Sequence, residues 1–495
     1  MSKVLLCPCE DVTLDDVEGA IGRGYRDVES IKRYTGFGTG ICQGKSCLVA
    51  VAQVLARTPG VSPEAVLPFT PRPPMQPTEL SVLATLEVDE GEAPSGGVPL
   101  SAGPTPPALR SPEPVQPRAQ VVIVGGGVMG LALAHNLAKR GCTDVVVLEK
   151  GYLCAGASGR NGGGVRMQWG TAANIELAKR SVDLMKQFAG EMGINIWLRQ
   201  GGYLFLAKTP AIAERLERNA QLHNRHGVRT EILSPDATRD LVPELTLKDV
   251  LIAAYHPEDG VIFPWPFLWG YAQSAQKRGV RVETFTQVTG LERSGGQVRA
   301  VKTDRGDIAC DTVVLAAGAW SPELARLAGV ALPNEPHRHE ILSTEPLKPF
   351  LGPLVSVLDS GLYFSQSMRG EIVGGMGDPH EPAALEQGST LRFLGRFARA
   401  LTEQIPTLGR VKVLRQWAGC YDVTPDNNPI LGRTPGLENL LQMSGFVGHG
   451  FMMAPAVAER MAEWMVTGHA DELFTRFNLA RFAGGVLERE DMIIG

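Results

Sequence analysis

The chain has 495 residues, of which 44% are hydrophobic and 20% are charged, and its formal net charge is −5. This length allows two or three domains, and the composition excludes wholesale disorder. The acidic balance lacks the basic footprint of a nucleic-acid-binding protein. No apolar stretch is long enough to predict a membrane span, and the N-terminal residues lack the pattern of a secretory signal. We therefore expect a cytoplasmic enzyme with no nucleic-acid partner.

Four of the eight cysteines form two close pairs near the N-terminus. Cys7-x-Cys9 is followed, after 32 residues, by the pair Cys42 and Cys47, which have four residues between them. Paired thiols are typical of metal ligands or redox thiols, and four could hold structural zinc or an iron–sulfur cluster. The one-residue gap in the first pair fits zinc poorly, but zinc and a redox disulfide remain alternatives. We expect the other cysteines to be small buried apolar residues; they are Cys142, Cys154, Cys310 and Cys420.

Residues 1–58, with the motif CQGKSC that ends at Cys47, resemble 2Fe–2S domains of the bacterioferritin-associated-ferredoxin type. The resemblance implies a small α-rich domain in which Cys7, Cys9, Cys42 and Cys47 ligate a 2Fe–2S cluster. The proline-rich residues 59–119 that follow predict an extended, semi-rigid linker. Within them, the apolar run 80–86 is expected to dock on a neighbour.

A glycine-rich turn follows the first strand predicted after the linker. The run VVIV at 121–124 predicts a buried parallel strand, and it leads into Gly125-x-Gly127-x-x-Gly130 and a helix, while a second strand ends at Glu149. In such a turn the first glycine makes the bend, the second lets a pyrophosphate approach, and the third allows helix–strand packing. The acid would accept hydrogen bonds from a ribose diol. This order of elements predicts dinucleotide binding.

Three further segments favour FAD as the dinucleotide. In GASGRNGGGVRMQW (156–169), small residues let the backbone lie against a flat ring system, and Arg160 and Asn161 supply polar contacts. A flexible surface loop is the alternative for this segment alone. VVLAAGAW (313–320) predicts a buried strand that ends in small residues. GFVGHGF (445–451) is a second glycine-rich turn, which can direct amide N–H groups at the flavin's pyrimidine edge.

Residues 120 to about 468 resemble the D-amino-acid-oxidase superfamily, especially the beta subunits of heteromeric sarcosine oxidases and of proline and opine dehydrogenases. The motifs are VVIVGGGVMG, GASGRNGGGVR, HEILSTEPLKP, WAGCYDVTPDNNPILG and SGFVGHGFMMAP. The resemblance implies an α/β fold, in which a Rossmann-like FAD-binding domain is interleaved with an antiparallel-sheet substrate domain over 120–475. The FAD parts would cover about 120–200, 270–330 and 415–470, and the substrate parts about 200–270 and 330–415. A C-terminal tail would follow at 476–495.

The resemblance also implies roles for individual residues. Arg166 would bind the substrate carboxylate as a bidentate cation, with an exposed loop arginine as the alternative. His449 would face the flavin or its phosphates, with a buried core histidine as the alternative. Tyr363 and Tyr421 would line the substrate site. The FAD contacts would come from Gly125, Gly127, Gly130, Glu149, Ser158, Arg160, Asn161, Gly163, Val288, Gly318, Gly448, Gly450 and Phe451. His337 and His339 are assigned to structure or to a subunit contact.

The activity implied is oxidation of the C–N bond of a secondary or N-substituted amino acid of the sarcosine, proline, hydroxyproline or opine class. Hydride transfer to flavin would give an imine that hydrolyses, and electrons would leave singly through the 2Fe–2S cluster. Met452 occupies the position of a lysine in single-chain sarcosine oxidases, which favours a dehydrogenase. A peroxide-forming oxidase and a non-catalytic redox relay module remain alternatives.

The resemblance further implies an alpha-type partner subunit and allows a small third subunit. It also allows FMN at a subunit interface. Pro264 stands at the position that matches the histidine tethering such an FMN, so a covalent link is not expected. Cys420 lies four residues before Thr424, one residue short of the spacing expected for a cysteine that tethers FAD, so we also predict that FAD is bound non-covalently.

Overall fold

The computed structural model describes residues 3–63, 66–88, 109, 111, 113–469, 471–484 and 487–494. Among the helices within these ranges, none combines the length and the apolar character needed to cross a membrane.

The small N-terminal domain is a short hairpin followed by helices. Its elements are β1 (Leu5–Cys7), β2 (Val12–Thr13), α1 (Leu14–Gly22), α2 (Val28–Thr35) and α3 (Leu48–Ala56). Thr13 and Asp16 form a capping box that starts α1, and the Asp27 side chain caps α2. Gly36, with a φ of 82°, ends α2 in the left-handed conformation. Local capping signals therefore define an α-rich unit around a small apolar core.

The remaining elements follow in chain order. The strands are β3 (Thr78–Glu79), β4 (Arg118–Val124), β5 (Val145–Leu148), β6 (Gly164–Val165), β7 (Tyr203–Ala207), β8 (Glu231–Leu233), β9 (Ile252–His256), β10 (Gly260–Val261), β11 (Arg281–Glu283), β12 (Val288–Ser294), β13 (Gln297–Thr303), β14 (Gly306–Leu315), β15 (Glu335–Pro346), β16 (Leu354–Val357), β17 (Leu362–Gln366), β18 (Glu371–Gly375), β19 (Lys412–Val423), β20 (Ile430–Thr434) and β21 (Leu437–Ser444). The helices are α4 (Leu80–Leu83), α5 (Val128–Lys139), α6 (Ala172–Met192), α7 (Pro210–Arg225), α8 (Pro235–Leu241), α9 (Pro264–Lys277), α10 (Ser321–Leu327), α11 (Leu391–Gln404), α12 (Gly450–Thr467) and α13 (Glu472–Arg476).

One sheet has the order β11-β5-β4-β14-β13-β12, with β21 added beside β14 and β20 beside β21. Strands β11, β5, β4, β14 and β21 are parallel to one another. Alternate residues of β4 and β5 pack into different apolar clusters, one on each face of the sheet. Both faces are therefore covered, which explains the uninterrupted apolar runs of these strands. This is the predicted Rossmann-like half of the fold.

The second sheet has nine strands in the order β3-β19-β15-β18-β17-β16-β7-β9-β8. Its neighbours are antiparallel except for β16 and β7, which are parallel. The interleaved α/β fold is therefore confirmed. One boundary differs from the expectation: β19 lies in this sheet, although residues from about 415 were assigned to the FAD parts.

Part of the predicted linker is built into the second sheet. Strand β3 pairs with the start of β19, and α4 follows directly. Leu80 is fully buried in the same apolar cluster as Phe397 and Leu401 of α11. The apolar run therefore docks because α11 offers it a complementary apolar face. Residues 64, 65, 89–108, 110 and 112 of the predicted linker lie outside the described residues.

Candidate functional site

The first glycine-rich turn joins β4 to α5 with no room for side chains. Gly125 has a φ of 120°, and a Cβ atom built there would lie 2.4 Å from the main-chain oxygen of Ala316. A Cβ atom at Gly130 would lie 2.1 Å from the oxygen of Gly125. Gly127 precedes the first residue of α5, and that helix start has no side-chain cap of its own. The turn therefore presents main-chain amides at a helix N-terminus, as phosphate binding requires.

Glu149 follows the end of β5 and lies beside this turn. Its carboxylate accepts hydrogen bonds from the amides of Gly126, at 3.0 Å, and Gly151, at 2.8 Å. Burial raises the pKa of Glu149 in spite of these bonds. The Thr286 amide donates to the Glu149 main-chain oxygen at 2.9 Å. This bond brings the start of β12, at Val288, near Glu149. The acid is thus fixed beside the first glycine-rich turn by two main-chain amides.

The segment after Gly156 is an ordered turn and not a flexible loop. Ser158 Oγ accepts from the Val128 amide at 3.0 Å, which ties the segment to the start of α5. Arg160 donates to the main-chain oxygens of Ala155, at 2.9 Å, and Ala418, at 3.0 Å. Asn161 Oδ1 accepts from the Gly163 amide at 2.7 Å. A Cβ atom at Gly163 would lie only 2.1 Å from the Ile262 oxygen.

The second glycine-rich turn leads from β21 into α12. Gly448 has a φ of 76°, and a Cβ atom there would lie 2.3 Å from the ring of Tyr421. The buried His449 ring stands edge-on to Trp169 at 5.0 Å, and its Nδ1 atom has no hydrogen-bond partner. Burial lowers the pKa of His449 well below its usual value, so the ring is neutral. Gly318, the remaining predicted glycine, has a φ of 53° at the turn after β14.

A cavity of about 80 Å³ lies where these segments meet the second sheet. Its lining includes residues from the 156–169 segment, from the second glycine-rich turn, from β15, β17 and β19, and from the C-terminal residues, whereas the first glycine-rich turn does not line it. Among the lining residues are Arg160, Asn161, Gly163, His339, Tyr363, Tyr421, Gly448, His449, Phe451, Met452 and Ile494. The structure thus brings together residues that are far apart in the sequence. Gly450, which starts α12, packs instead against Phe446.

His339 lies between the two predicted tyrosines. Its ring stacks on Tyr421 at 4.5 Å and on Tyr363 at 5.6 Å, and its Nε2 atom is 3.0 Å from the Tyr363 hydroxyl. Burial lowers the pKa of His339 to about 4 and raises that of Tyr363. This part of the wall is therefore polar and uncharged. The sequence indicates only a structural role or a subunit contact for His339, because its spacing to the tyrosines carries no signal of this cavity.

Arg166 lies behind this cavity. It is fully buried, and its guanidinium donates to the main-chain oxygens of Gln168 and Met492. The guanidinium also lies 3.9 Å from the centre of the Trp169 ring. The alternative of an exposed loop arginine is thus excluded by its burial. The C-terminal residues that cover it, up to Ile494, are packed and not a free tail.

The four paired thiols of the small domain influence one another. The thiols of Cys9 and Cys42 interact, as do those of Cys7 and Cys47. Burial and the neighbouring Cys7 raise the pKa of Cys47 to about 12. In the part of the chain that the structure describes, no group of three or more His, Cys, Asp or Glu side chains is arranged to hold a metal ion.

The small domain packs on the large one at two places. Arg33 of α2 donates to the Tyr152 hydroxyl at 2.6 Å, and its guanidinium lies 4.9 Å from the Trp265 ring. Near the thiols, Arg369 of the large domain bonds to Glu10 at 2.5 Å. The thiols and the cavity therefore belong to one packed body.

Comparison with known proteins agrees with this geometry. Residues 120–464 match the family described as FAD dependent oxidoreductase, and residues 2–86 match the sarcosine oxidase A3 domain. The sarcosine oxidase subunit beta of Rhizobium meliloti (strain 1021) is 35% identical over 386 residues, which are 77% of this chain and 92% of that protein. The crystal structure of L-proline dehydrogenase from P. horikoshii has a TM-score of 0.72 and 35% identity, over 75% of this chain and all of that one.

Glycine oxidase from Geobacillus kaustophilus, at 24% identity, shares the fold with a TM-score of 0.68 over 77% of this chain and 100% of that one. The family match covers more than half of the sequence, and it begins at the strand that enters the first glycine-rich turn. The chain therefore belongs to the FAD dependent oxidoreductase family and is an amine or amino-acid oxidoreductase.

Proposed function

We propose that the chain oxidises the C–N bond of a secondary or N-substituted amino acid with FAD, and that a 2Fe–2S cluster in the small domain carries the electrons onward. The observation that carries the first part is the cavity between the 156–169 segment and the second glycine-rich turn, whose wall includes the uncharged rings of His339, Tyr363 and Tyr421. The names of two relatives, a sarcosine oxidase subunit and an L-proline dehydrogenase, support this substrate class.

The residues around the first turn fit FAD. The amides at the start of α5 would face its pyrophosphate, and Glu149 would face its ribose. Gly163 and Gly448 line the cavity, and a Cβ atom at either would overlap the Ile262 oxygen or the Tyr421 ring, so the backbone keeps this path beside the cavity only with glycine. When bound, FAD supplies a two-electron acceptor.

The chain's own side chains favour the reactive form of an amine. A buried, uncharged wall of His339, Tyr363 and Tyr421 disfavours an ammonium ion relative to the neutral amine. The neutral amine holds the free electron pair that C–N oxidation needs. Arg166, a cation behind the cavity, would attract the substrate's carboxylate toward the same end.

The direct test is an anaerobic titration with sarcosine, proline, hydroxyproline and an opine, followed by flavin absorbance. At least one substrate is expected to bleach the flavin. Arg166→Met should weaken its apparent affinity, because it removes the attraction of a buried cation for the substrate's carboxylate. A flavin that no amino acid bleaches would favour a redox relay module over an enzyme. An unchanged affinity in the variant would remove Arg166 from substrate binding.

We favour a dehydrogenase over an oxidase because Met452, a neutral residue, lines the cavity at the position of the lysine of single-chain sarcosine oxidases. The Arg160 guanidinium also lines the cavity, but it donates to the main-chain oxygens of Ala155 and Ala418. A fixed cation near the ring would stabilise negative charge on the reduced flavin and oxygen. With substrate present, we expect the isolated chain to consume oxygen slowly and to reduce an artificial electron acceptor rapidly. Fast stoichiometric peroxide formation would instead establish an oxidase.

The 2Fe–2S proposal rests on the donor set. Four thiols interact in two pairs, and the loop that carries the second pair is held by close contacts. A Cβ atom at Gly40 would lie 2.4 Å from Cys9 Cβ, and one at Gly44 would lie 2.3 Å from the Phe69 ring. When bound, the cluster would supply a one-electron carrier.

Metal and sulfide analysis of anaerobically purified protein tests this assignment. We expect about two irons and two sulfides per chain, the content of one 2Fe–2S cluster. Cys42→Ser should lose both and keep FAD, whereas the matched variant Cys142→Ser, outside the small domain, should lose neither. Zinc in place of iron would overturn the proposal.

An alpha-type partner is proposed from the name of the sarcosine oxidase subunit and should co-purify from native cells. FMN remains a prediction of the sequence.

A further inference from the structure

We propose that residues 487–494 form a fixed wall of the substrate cavity, and that Ile494 sets the size of the amine substituent that the cavity accepts. This inference rests on the proposed function. Ile494 is 5% exposed and lines the cavity together with Tyr203, Leu354 and Tyr363. The same residues belong to or pack against one apolar cluster with Ile494, so its side chain is part of a packed wall. Removing its methyl groups would therefore enlarge the cavity directly.

The segment is anchored by a buried carboxylate. Glu490 is fully buried, and its oxygens accept from the Gly170 amide at 2.6 Å, Asn174 Nδ2 at 2.9 Å and Thr171 Oγ1 at 3.1 Å. The Met492 amide donates to the same carboxylate at 2.9 Å. A buried ion with four donors is tolerated, whereas one without them is costly. This donor set is built from the turn before α6, from the first turn of α6 and from the segment itself.

Main-chain bonds fix the path on either side of the anchor. The Glu490 amide donates to the Asp426 oxygen at 3.0 Å, and Asn427 and Asn428 side chains donate to the Glu490 and Glu488 oxygens at 3.1 and 2.8 Å. The segment has no helix or strand of its own, and ordering each of its residues costs about 1–2 kcal/mol. Specific bonds at successive residues, together with a buried Met492, offset that cost.

The same segment holds Arg166. The Met492 main-chain oxygen accepts from this guanidinium, and the oxygen of Gln168 accepts from its other end. Both carbonyls belong to fixed backbone, so the cation is held in one orientation behind the cavity. The segment therefore supplies a wall through Ile494 and positions a cation through Met492.

The experiment compares substrates of different size on size-changed variants. Ile494→Ala should raise the rate constant for flavin reduction by N-propylglycine relative to sarcosine at least about tenfold, the effect of one methylene in an apolar pocket. Ile494→Trp should shift the ratio in the opposite direction. Val466→Ala, an exposed site on α12, is the matched control and should leave the ratio unchanged. An unchanged ratio in both Ile494 variants would overturn the inference.

A measurement without turnover separates this inference from the proposed function. Titration with acetate and benzoate, followed by the flavin spectrum, reports on cavity size even if no amine is oxidised. Ile494→Ala should tighten benzoate binding relative to acetate. Glu490→Ala, which removes the anchor, should move the ratio the same way, and Glu490→Gln should move it less. If Glu490→Ala instead tightened both acids equally, the segment would be a competitor for the site and not its wall.

Discussion

The two glycine-rich turns look alike in sequence but are closed by different parts of the molecule. At Gly125, an added Cβ atom would meet the main-chain oxygen of Ala316, which belongs to the loop after β14. At Gly448, it would meet the ring of Tyr421, a side chain that also stacks on His339. The first turn is therefore limited by backbone, and the second by an aromatic ring in the cavity wall.

This difference separates two kinds of intolerance. The backbone around Gly125 belongs to a parallel sheet covered on both faces, so it cannot move away from a new atom. The Tyr421 ring can shift, but only by disturbing the stack that shapes the cavity. A substitution in the first turn should therefore lower both stability and FAD content, whereas a substitution in the second turn should alter which ligands the cavity binds.

The largest effect is expected for Gly125→Ala. Its φ of 120° alone costs an L-residue about 1–3 kcal/mol, and the backbone overlap adds to this. We expect loss of bound FAD and a fall in the free energy of unfolding, measured by flavin absorbance per chain and by urea denaturation. Gly190→Ala, at an exposed position of α6 with no atom near its Cβ, should stabilise the protein by about 0.5–1 kcal/mol. Retention of FAD in Gly125→Ala would show that the turn is not close to the cofactor.

Gly448→Ala should have a smaller effect on stability and a larger one on selectivity. The φ of 76° costs about 1–2 kcal/mol for an alanine, and the Tyr421 ring must turn aside. FAD should be retained, while binding of acetate and benzoate to the flavin site should weaken. Equal loss of FAD in both glycine variants would erase the distinction between the two turns.

The neutral wall makes a prediction about pH. The pKa of His339 is about 4 when folded and near 6.5 when unfolded, so the unfolded chain binds more protons between these values. His339 therefore lowers the free energy of unfolding as pH falls, by about 2 kcal/mol between pH 7 and pH 5. The pKa values of buried Asp259 and Asp422 are raised to about 6, so the folded chain binds more protons at these carboxyls. These two groups therefore raise the free energy of unfolding as pH falls.

The contribution of His339 is therefore measured as the difference in stability change between the wild type and His339→Gln. His339→Gln should lose less stability than the wild type between pH 7 and pH 5 in urea denaturation. His469 is exposed, and the control variant His469→Gln should show the same change in stability between pH 7 and pH 5 as the wild type. Parallel pH profiles for His339→Gln and the wild type would mean that this ring is not held neutral by burial.

The residues predicted to bind FAD from local spacing lie together in the fold, and their contact with FAD stays a prediction. Gly125, Gly127, Gly130 and Glu149 lie within one strand–helix–strand unit, where spacing determines position. The α/β class followed from the same alternation. The docking of residues 80–86 was also expected, but not its partner, because α11 is distant in the sequence.

The cavity wall could not be predicted in this way. His339 meets Tyr363 and Tyr421 only because β15 pairs with β18 and β19, and β17 pairs with β18. Strand register across such distances is set by the folded sheet and leaves no short motif. Ile494 reaches the cavity through hydrogen bonds to side chains and backbone of other elements, which again leaves no local pattern.

The smallest effect is expected for Tyr363→Phe, which keeps the ring and removes one hydroxyl. That hydroxyl is 3.0 Å from His339 Nε2, so its loss leaves a buried ring nitrogen without this partner. An unsatisfied buried polar atom costs about 1–3 kcal/mol, and the retained stack limits the effect to the lower end. We expect about 1 kcal/mol in urea denaturation and unchanged FAD content.

Tyr255→Phe is the matched control for this change. Its half-buried hydroxyl makes one longer bond, 3.3 Å to the Gly201 oxygen, at an edge of the same sheet. We expect it to cost less than Tyr363→Phe and to leave acetate and benzoate binding unchanged. If the two variants behaved alike in both measurements, the His339–Tyr363 bond would be an ordinary structural contact. Its place in the wall would then come from packing alone, and the selectivity of the cavity would rest on Tyr421 and Ile494.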